Sequence, residues 1–147
     1  MSKTGVFPVF NNKFKIGATA EEVHPIAEIE SFSVAIDGKV EDWSPFEAEG
    51  WTKRLMTGKS LTIALKGKRC VGDIGNDYIA GLAFKTGQDC NGAFEWEFPS
   101  GAKLTMACVV NVTNPGGGES NAVDGLECDV MSNGKPAFTP ADTTTTN

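Results

Sequence analysis

Gly58-Lys59-Ser60, within "TGKSLTIAL" (57–65), has the residue types that close a phosphate-binding loop. In such a loop the glycines let backbone N–H groups curl around the phosphates and the lysine reaches the terminal ones. A working loop needs another glycine five positions before Gly58, but that position is Lys53 and the nearest upstream glycine is Gly50. It also needs a helix starting at the lysine, whose N-terminus supplies the positive dipole end. Instead Leu61, Ile63 and Leu65 alternate with Thr62, Ala64 and Lys66, the period of a strand. Both requirements fail, and the stretch reads as a turn feeding a strand.

The other reactive residue types fare no better. His24 is the only histidine and sits beside Pro25, with no Ser-His-Asp or Cys-His arrangement around it in the sequence. The acidic pairs Glu95/Glu97 and Glu127/Asp129 suggest glycoside hydrolysis at first sight. That chemistry needs two carboxylates facing each other across a bond. Residues two apart on a strand point the same way, so these read as an acidic stripe. Cys70, Cys90, Cys108 and Cys128 form no C-x-x-C pair, which argues against zinc. Cys108 and Cys128 fall in phase with apolar strand residues and read as buried free thiols. Cys70 and Cys90 fall in loops, where a bridge between them is left open. No stretch, "DVMSNGK" included, matches a calcium loop. The expectation is a protein without catalytic residues, metal or cofactor.

With 147 residues the chain can bury the core of one domain. Its net charge of −6 argues against adhesion to a nucleic-acid backbone, which needs basic surface. No apolar run is long enough for a membrane helix. The opening "MSKTGVFPVFNNKFKIG" lacks the apolar stretch of a secretion signal, so the chain is expected to be made in a cytoplasm and to leave only by lysis.

The elements that would position any site are mostly strands. Residues 1–28 carry scattered aromatics and acids and read as an N-terminal arm. Phe32, Val34 and Ile36 alternate, Asp37-Gly38 offers turn chemistry, and Val40 to Trp43 begins a return strand. Residues 44–58, "SPFEAEGWTKRLMTG", read as a long loop with Phe46, Trp51, Leu55 and Met56 needing a surface to bury against. That surface is either the protein's own sheet or a neighbour. After the 61–66 strand and a glycine-rich loop, one helix is expected over about 76–86, capped by Asn76 or Asp77. Residues 93–112 form the clearest hairpin: a three-residue turn sets Trp96 opposite Leu104 and Glu97 opposite Lys103. Leu126, Cys128 and Val130 mark a last strand, and residues 141–147 read as a disordered tail. The sum is a mainly β fold, a β-sandwich or β-barrel with one short flanking helix.

From "FSVAIDGKVEDWSPFEAEGWTKRLMTGKSLTIALKGKRCVGDIGNDYIAGLAFKTG" through "FEWEFPSGAKLTMACVVNVTNPGGG" to "GLECDVMSNGKPAFTP", the chain resembles the tail tube (major tail) proteins of tailed bacteriophages. The resemblance covers roughly 28–140. It implies a tail-tube β domain over 29–140, assembled as hexameric rings that stack into a hollow tube. DNA passes through that tube without specific binding. It implies inter-ring contact by the 44–58 loop, with Trp43, Phe46, Trp51, Leu55 and Met56 as candidates. Further implied partners are a tape measure protein in the lumen, tail terminator and tail-tip proteins, and a sheath if the tail contracts; no membrane is involved. The place implied is the virion tail, with synthesis in the host bacterial cytoplasm. Glu95, Glu97, Glu127 and Asp129 become lumen candidates because they lie opposite the apolar stripes, where carboxylates would repel phosphates. Equally, they fit a solvated outer face. The alternative for the whole chain is a monomeric β-sandwich that binds carbohydrate or another ligand, for which Trp43 and Trp51 are the plausible platform.

Overall fold

The computed structural model describes residues 4–141. The expected C-terminal tail beyond Ala141 lies outside them. Eight strands and one helix follow in the order β1 (Lys13–Gly17), β2 (His24–Pro25), β3 (Ile29–Trp43), β4 (Lys53–Lys68), α1 (Ile74–Gly81), β5 (Asn91–Glu97), β6 (Lys103–Asn114), β7 (Gly125–Ser132) and β8 (Ala137–Thr139). All pair antiparallel in one sheet of order β2-β1-β5-β6-β7-β4-β3, with β8 added to β6. The ends of that path, β2 and β3, are joined in sequence by residues 26–28 alone. So short a link forces the sheet to roll until its ends meet. Phe14 of β1 and Phe32 of β3 touch across the gap with ring centroids 4.8 Å apart, and Phe32 meets Trp96 at 5.5 Å. The result is a barrel with an open seam, closed by side chains where a ladder would otherwise run.

Alternation builds the interior. Leu61, Ile63 and Leu65 of β4, Met106, Cys108 and Val110 of β6, and Leu126, Cys128 and Val130 of β7 are buried together with Ile16 and Phe94. Each large apolar side chain so placed contributes about 1.5–3 kcal/mol. Helix α1 adds Ile79, and Leu82 follows at its end. The helix starts earlier than expected and is shorter, because Asp73 is the cap: its carboxylate accepts the Asn76 N–H at 3.0 Å. Asn76 has another task. Fully buried, its Nδ2 donates to the carbonyls of Ala27 and Lys68 (3.2 and 2.9 Å), and its Oδ1 accepts from the Cys70 N–H and Arg69 Nη1 (3.0 and 2.8 Å). Asp73 also accepts the Ala27 N–H at 3.0 Å. The first turn of α1 thus grips both polar groups of Ala27, in the link that closes the barrel. Beside it, Gly67 has to be glycine, since a Cβ there would collide with the Glu28 carbonyl.

Three expectations are corrected here. Residues 13–17 and 24–25, part of the expected arm, are strands of the sheet, and Ile16 is core. Alternation was too short there to stand out. Asp37-Gly38 is no turn: both lie mid-strand in β3, opposite Ser60 and Lys59. A Cβ at Gly38 would meet the Met56 thioether at 3.0 Å, the far end of a flexible, exposed side chain. The third concerns residues 44–58: the connection is only 44–52, and the rest, Gly58-Lys59-Ser60 included, is β4.

The hairpin β5–β6 has the expected register, Trp96 opposite Leu104 and Glu97 opposite Lys103. All four cysteines are free. Burial pushes the Cys108 and Cys128 thiols up to about 12, so both stay protonated in the core.

Candidate assembly surface

Strands β3 and β4 form one long hairpin whose two halves differ. Near its base, β4 is flanked by β7 over Thr62–Lys68. Beyond that, residues 36–43 and 53–60 project as a two-stranded ribbon, with no strand on either side among the described residues. A β-bulge marks the passage: Lys39 pairs with Gly58 and Val40 with Met56, so Thr57 is the extra residue, and its Oγ1 donates to the Lys39 carbonyl at 3.1 Å. The bulge switches parity. The apolar face of β4 uses Leu65, Ile63 and Leu61, then resumes at Met56. Alternation read from the sequence therefore stops at Leu61 although the strand continues.

The ribbon ends in a 3-10 turn over Phe46–Ala48, followed by Glu49 and Gly50 at positive φ (52° and 92°). The Trp51 N–H closes it on the Ala48 carbonyl at 3.0 Å. Phe46 is 100% and Trp51 79% exposed. Trp43, Leu55 and Met56 are exposed as well, so all five sequence-predicted contact residues stand on this one projection. Met56 and Val40 share the face that continues the core; Leu55 and Trp43 share the other. The only ion pair on the ribbon among the described residues, Arg54–Asp42 at 3.3 Å, is solvent-exposed and worth little. Sequence reasoning did not mark Val34, Ile36 and Val40 as exposed: Val34 sits opposite the buried Ile63 at the base, and Ile36 and Val40 lie on the ribbon. It also missed Val9 and Phe10, exposed on the N-terminal segment. No sequence signal marks where the core stops; only the length of uninterrupted pairing does.

Glu95, Glu97, Glu127 and Asp129 share the sheet face opposite the core, on β5 and β7 with β6 between them. The face is not an acidic stripe. Lys15 and Lys103 flank Glu95 at 3.9 and 3.8 Å, and Lys66 lies 3.8 Å from Glu127. Lys13 faces Glu97 in register from β1. Lys103 comes from the expected β5–β6 hairpin; Lys13, Lys15 and Lys66 come from β1 and β4, whose pairing with β5 and β7 the sequence did not reveal.

The catalytic candidates separate. His24 lies in β2 in register with Ile16. The glycine-rich loop before α1 is filled by protein carboxylates. Asp77 accepts from Arg69 at 2.8 Å and from the Gly72 N–H at 3.1 Å, and these bonds hold its carboxyl below the ordinary 3.8. A phosphate would meet negative charge there. Trp43 and Trp51, both exposed, make no ring contact with each other among the described residues.

No family model and no curated protein sequence matches the chain. Solved structures do. A chain in the tail of an empty gene transfer agent particle, refined with helical and C6 symmetry, superposes with a TM-score of 0.73 at 15% identity, over 92% of this chain and 100% of that one. The chain has the fold of a tail protein. A chain of the native gene transfer agent virion gives 0.71 at 16% identity, over 92% and 100%. The cap that terminates the tube of the anti-feeding prophage gives 0.58 at 12%, over 96% and 95%. This tail-protein fold is mainly β with one helix, as expected from the strand pattern.

Proposed function

We propose that the chain is a structural, non-enzymatic subunit of a phage-type tail tube, assembling as hexameric rings that stack around a lumen. One observation carries this reading: a chain with a tail-protein fold bears a ribbon of exposed Phe46, Trp51, Leu55 and Met56 that its own core does not cover. Isolated hairpins are marginal in water. The unpaired edges of such a ribbon are an aggregation hazard unless other copies take them up. In this reading the ribbon spans to the neighbouring ring. The polar face with Glu95, Glu97, Glu127 and Asp129 lines the lumen, where interspersed lysines balance the carboxylates and passing DNA finds no net attraction. A tape measure protein fills the lumen before DNA. Terminator and tail-tip proteins close the ends, and a sheath covers the tube if the tail contracts. Negative-stain electron microscopy over a concentration series tests this. Six-fold rings or hollow tubes are expected; uniform small particles at every concentration, even with added tail-tip seeds, overturn it.

A further inference from the structure

The open seam of the barrel leaves a groove of about 390 Å³ between β1 and the base of β3. Val9, Phe10, Phe14, Ile26, Ile29 and Phe32 line it. Phe14 and Phe32 form its floor. The rim is held in place: Trp96 Nε1 donates to Asn12 Oδ1 at 2.8 Å, and Asn12 Nδ2 donates to the Val9 carbonyl at 2.9 Å. That pair of bonds fixes the 3-10 turn Val9–Asn11 beside the groove, with Phe10 83% exposed among the described residues. An apolar trough with an anchored, uncovered aromatic on its lip suits an aromatic ligand.

Two features name the occupant. The groove lies at the Ile29 end of β3, and the exposed Phe46 and Trp51 lie just past the Trp43 end. A strand of 15 residues holds the two roughly 45 Å apart, so one chain cannot satisfy both. Contact between the ends of two copies is heterologous and repeats without closing. Charge agrees. The tip, residues 44–52, carries Glu47 and Glu49 and no cation. On the β1 wall Lys15 leans on Glu95 at 3.9 Å, which leaves Lys13 as the cation facing the groove, while on the β3 wall Glu30 is tied back to Lys68 at 3.2 Å, leaving Glu28 to repel the tip's acids. The tip therefore enters with its carboxylates on the β1 side.

We infer that the seam groove receives the Phe46–Trp51 tip of a second copy of this chain, in a head-to-tail contact. This rests on the tube reading and adds the acceptor site to it. The test is a cysteine pair in a Cys70→Ser background. Chains carrying Phe46→Cys are mixed with chains carrying Phe10→Cys, assembled and oxidised. Both positions are exposed, so neither variant threatens the fold. The expected result is a covalent dimer containing one chain of each kind, and a cross-linked ladder when a single chain carries both substitutions. Tubes that form but give no mixed dimer overturn the groove assignment and leave the tube reading intact. Phe46→Cys chains that cross-link equally well alone show tip-to-tip contact and overturn it too. A chain that never assembles, wild type included, overturns both.

Discussion

The two halves of the β3–β4 hairpin share strands, ladder and alternation, and they end in opposite environments. At the base, Phe32 pairs with Leu65 and Val34 with Ile63, and the β4 partners are sealed in the core. Past Gly38 the same alternation places Val40 beside Met56 in the open. The difference is what lies across the sheet. Leu61, Ile63 and Leu65 share one core cluster with residues of β5, β6, β7 and α1; on the ribbon no side chain is buried among the described residues. Apolar alternation thus specifies a face to be covered. Whether the cover belongs to the same chain depends on where the other strands stop.

Substitutions in the two halves should therefore separate stability from assembly. Ile63→Ala, at a fully buried position, is expected to cost about 2–5 kcal/mol of monomer stability in urea unfolding. A loss under 1 kcal/mol would erase the distinction between the halves. Asn76→Ala should follow at about 3 kcal/mol, because the carbonyls of Ala27 and Lys68 and the Cys70 N–H lose their partner in a buried site. Trp51→Ala should leave the unfolding midpoint of the unassembled chain in place. It should raise the concentration needed for assembly about ten- to a hundredfold, matching about 1.5–3 kcal/mol of lost burial. Equal damage to both readouts would make the tip part of the subunit's own core. Replacing Glu127 and Asp129 together by Lys should alter neither stability nor tube formation by more than about 0.5 kcal/mol, since exposed charges contribute little. It should reduce DNA delivery in an infection assay; unchanged delivery removes them from the lumen.

The smallest effect concerns pH. Asp77 is depressed in the folded chain by its bond from Arg69 and then by the Gly72 N–H. Its contribution is complete above the ordinary value of 3.8 and is lost as pH falls through the lowered one. Asp77→Asn should lower stability slightly at neutral pH, where that contribution is complete, and flatten the acid limb below 3.8, so that the two profiles converge at the acid end.

Much of this was legible in the residues. The β5–β6 register followed from Trp96, Leu104, Glu97 and Lys103, because a period of two allows only one pairing that matches both faces. Phe46 and Trp51, exposed at the hairpin tip, were visible as large apolar groups beside Gly50 with nothing nearby to bury them. Three things were hidden. The Thr57 bulge disguised half of β4 as loop, since one extra residue moves the apolar parity. β1 was too short for periodicity to announce, and its place beside β5 is a long-range fact. Lys15 beside Glu95 and Lys66 beside Glu127 arrive from β1 and β4, and only the sheet order brings them there; Lys103 was already placed by the β5–β6 hairpin.

The continuity of β3 and β4 through the bulge has a mechanical side. A pull on the Phe46–Trp51 tip along the hairpin is carried to the core by two legs of covalent backbone in parallel, both ending where α1 and Asn76 clamp Ala27 and Lys68. The hydrogen bonds between the legs lie across that load and bear almost none of it. Bending meets the opposite case: a ribbon two strands wide is compliant out of its plane. A filament joined through such links would be hard to stretch and easy to curve.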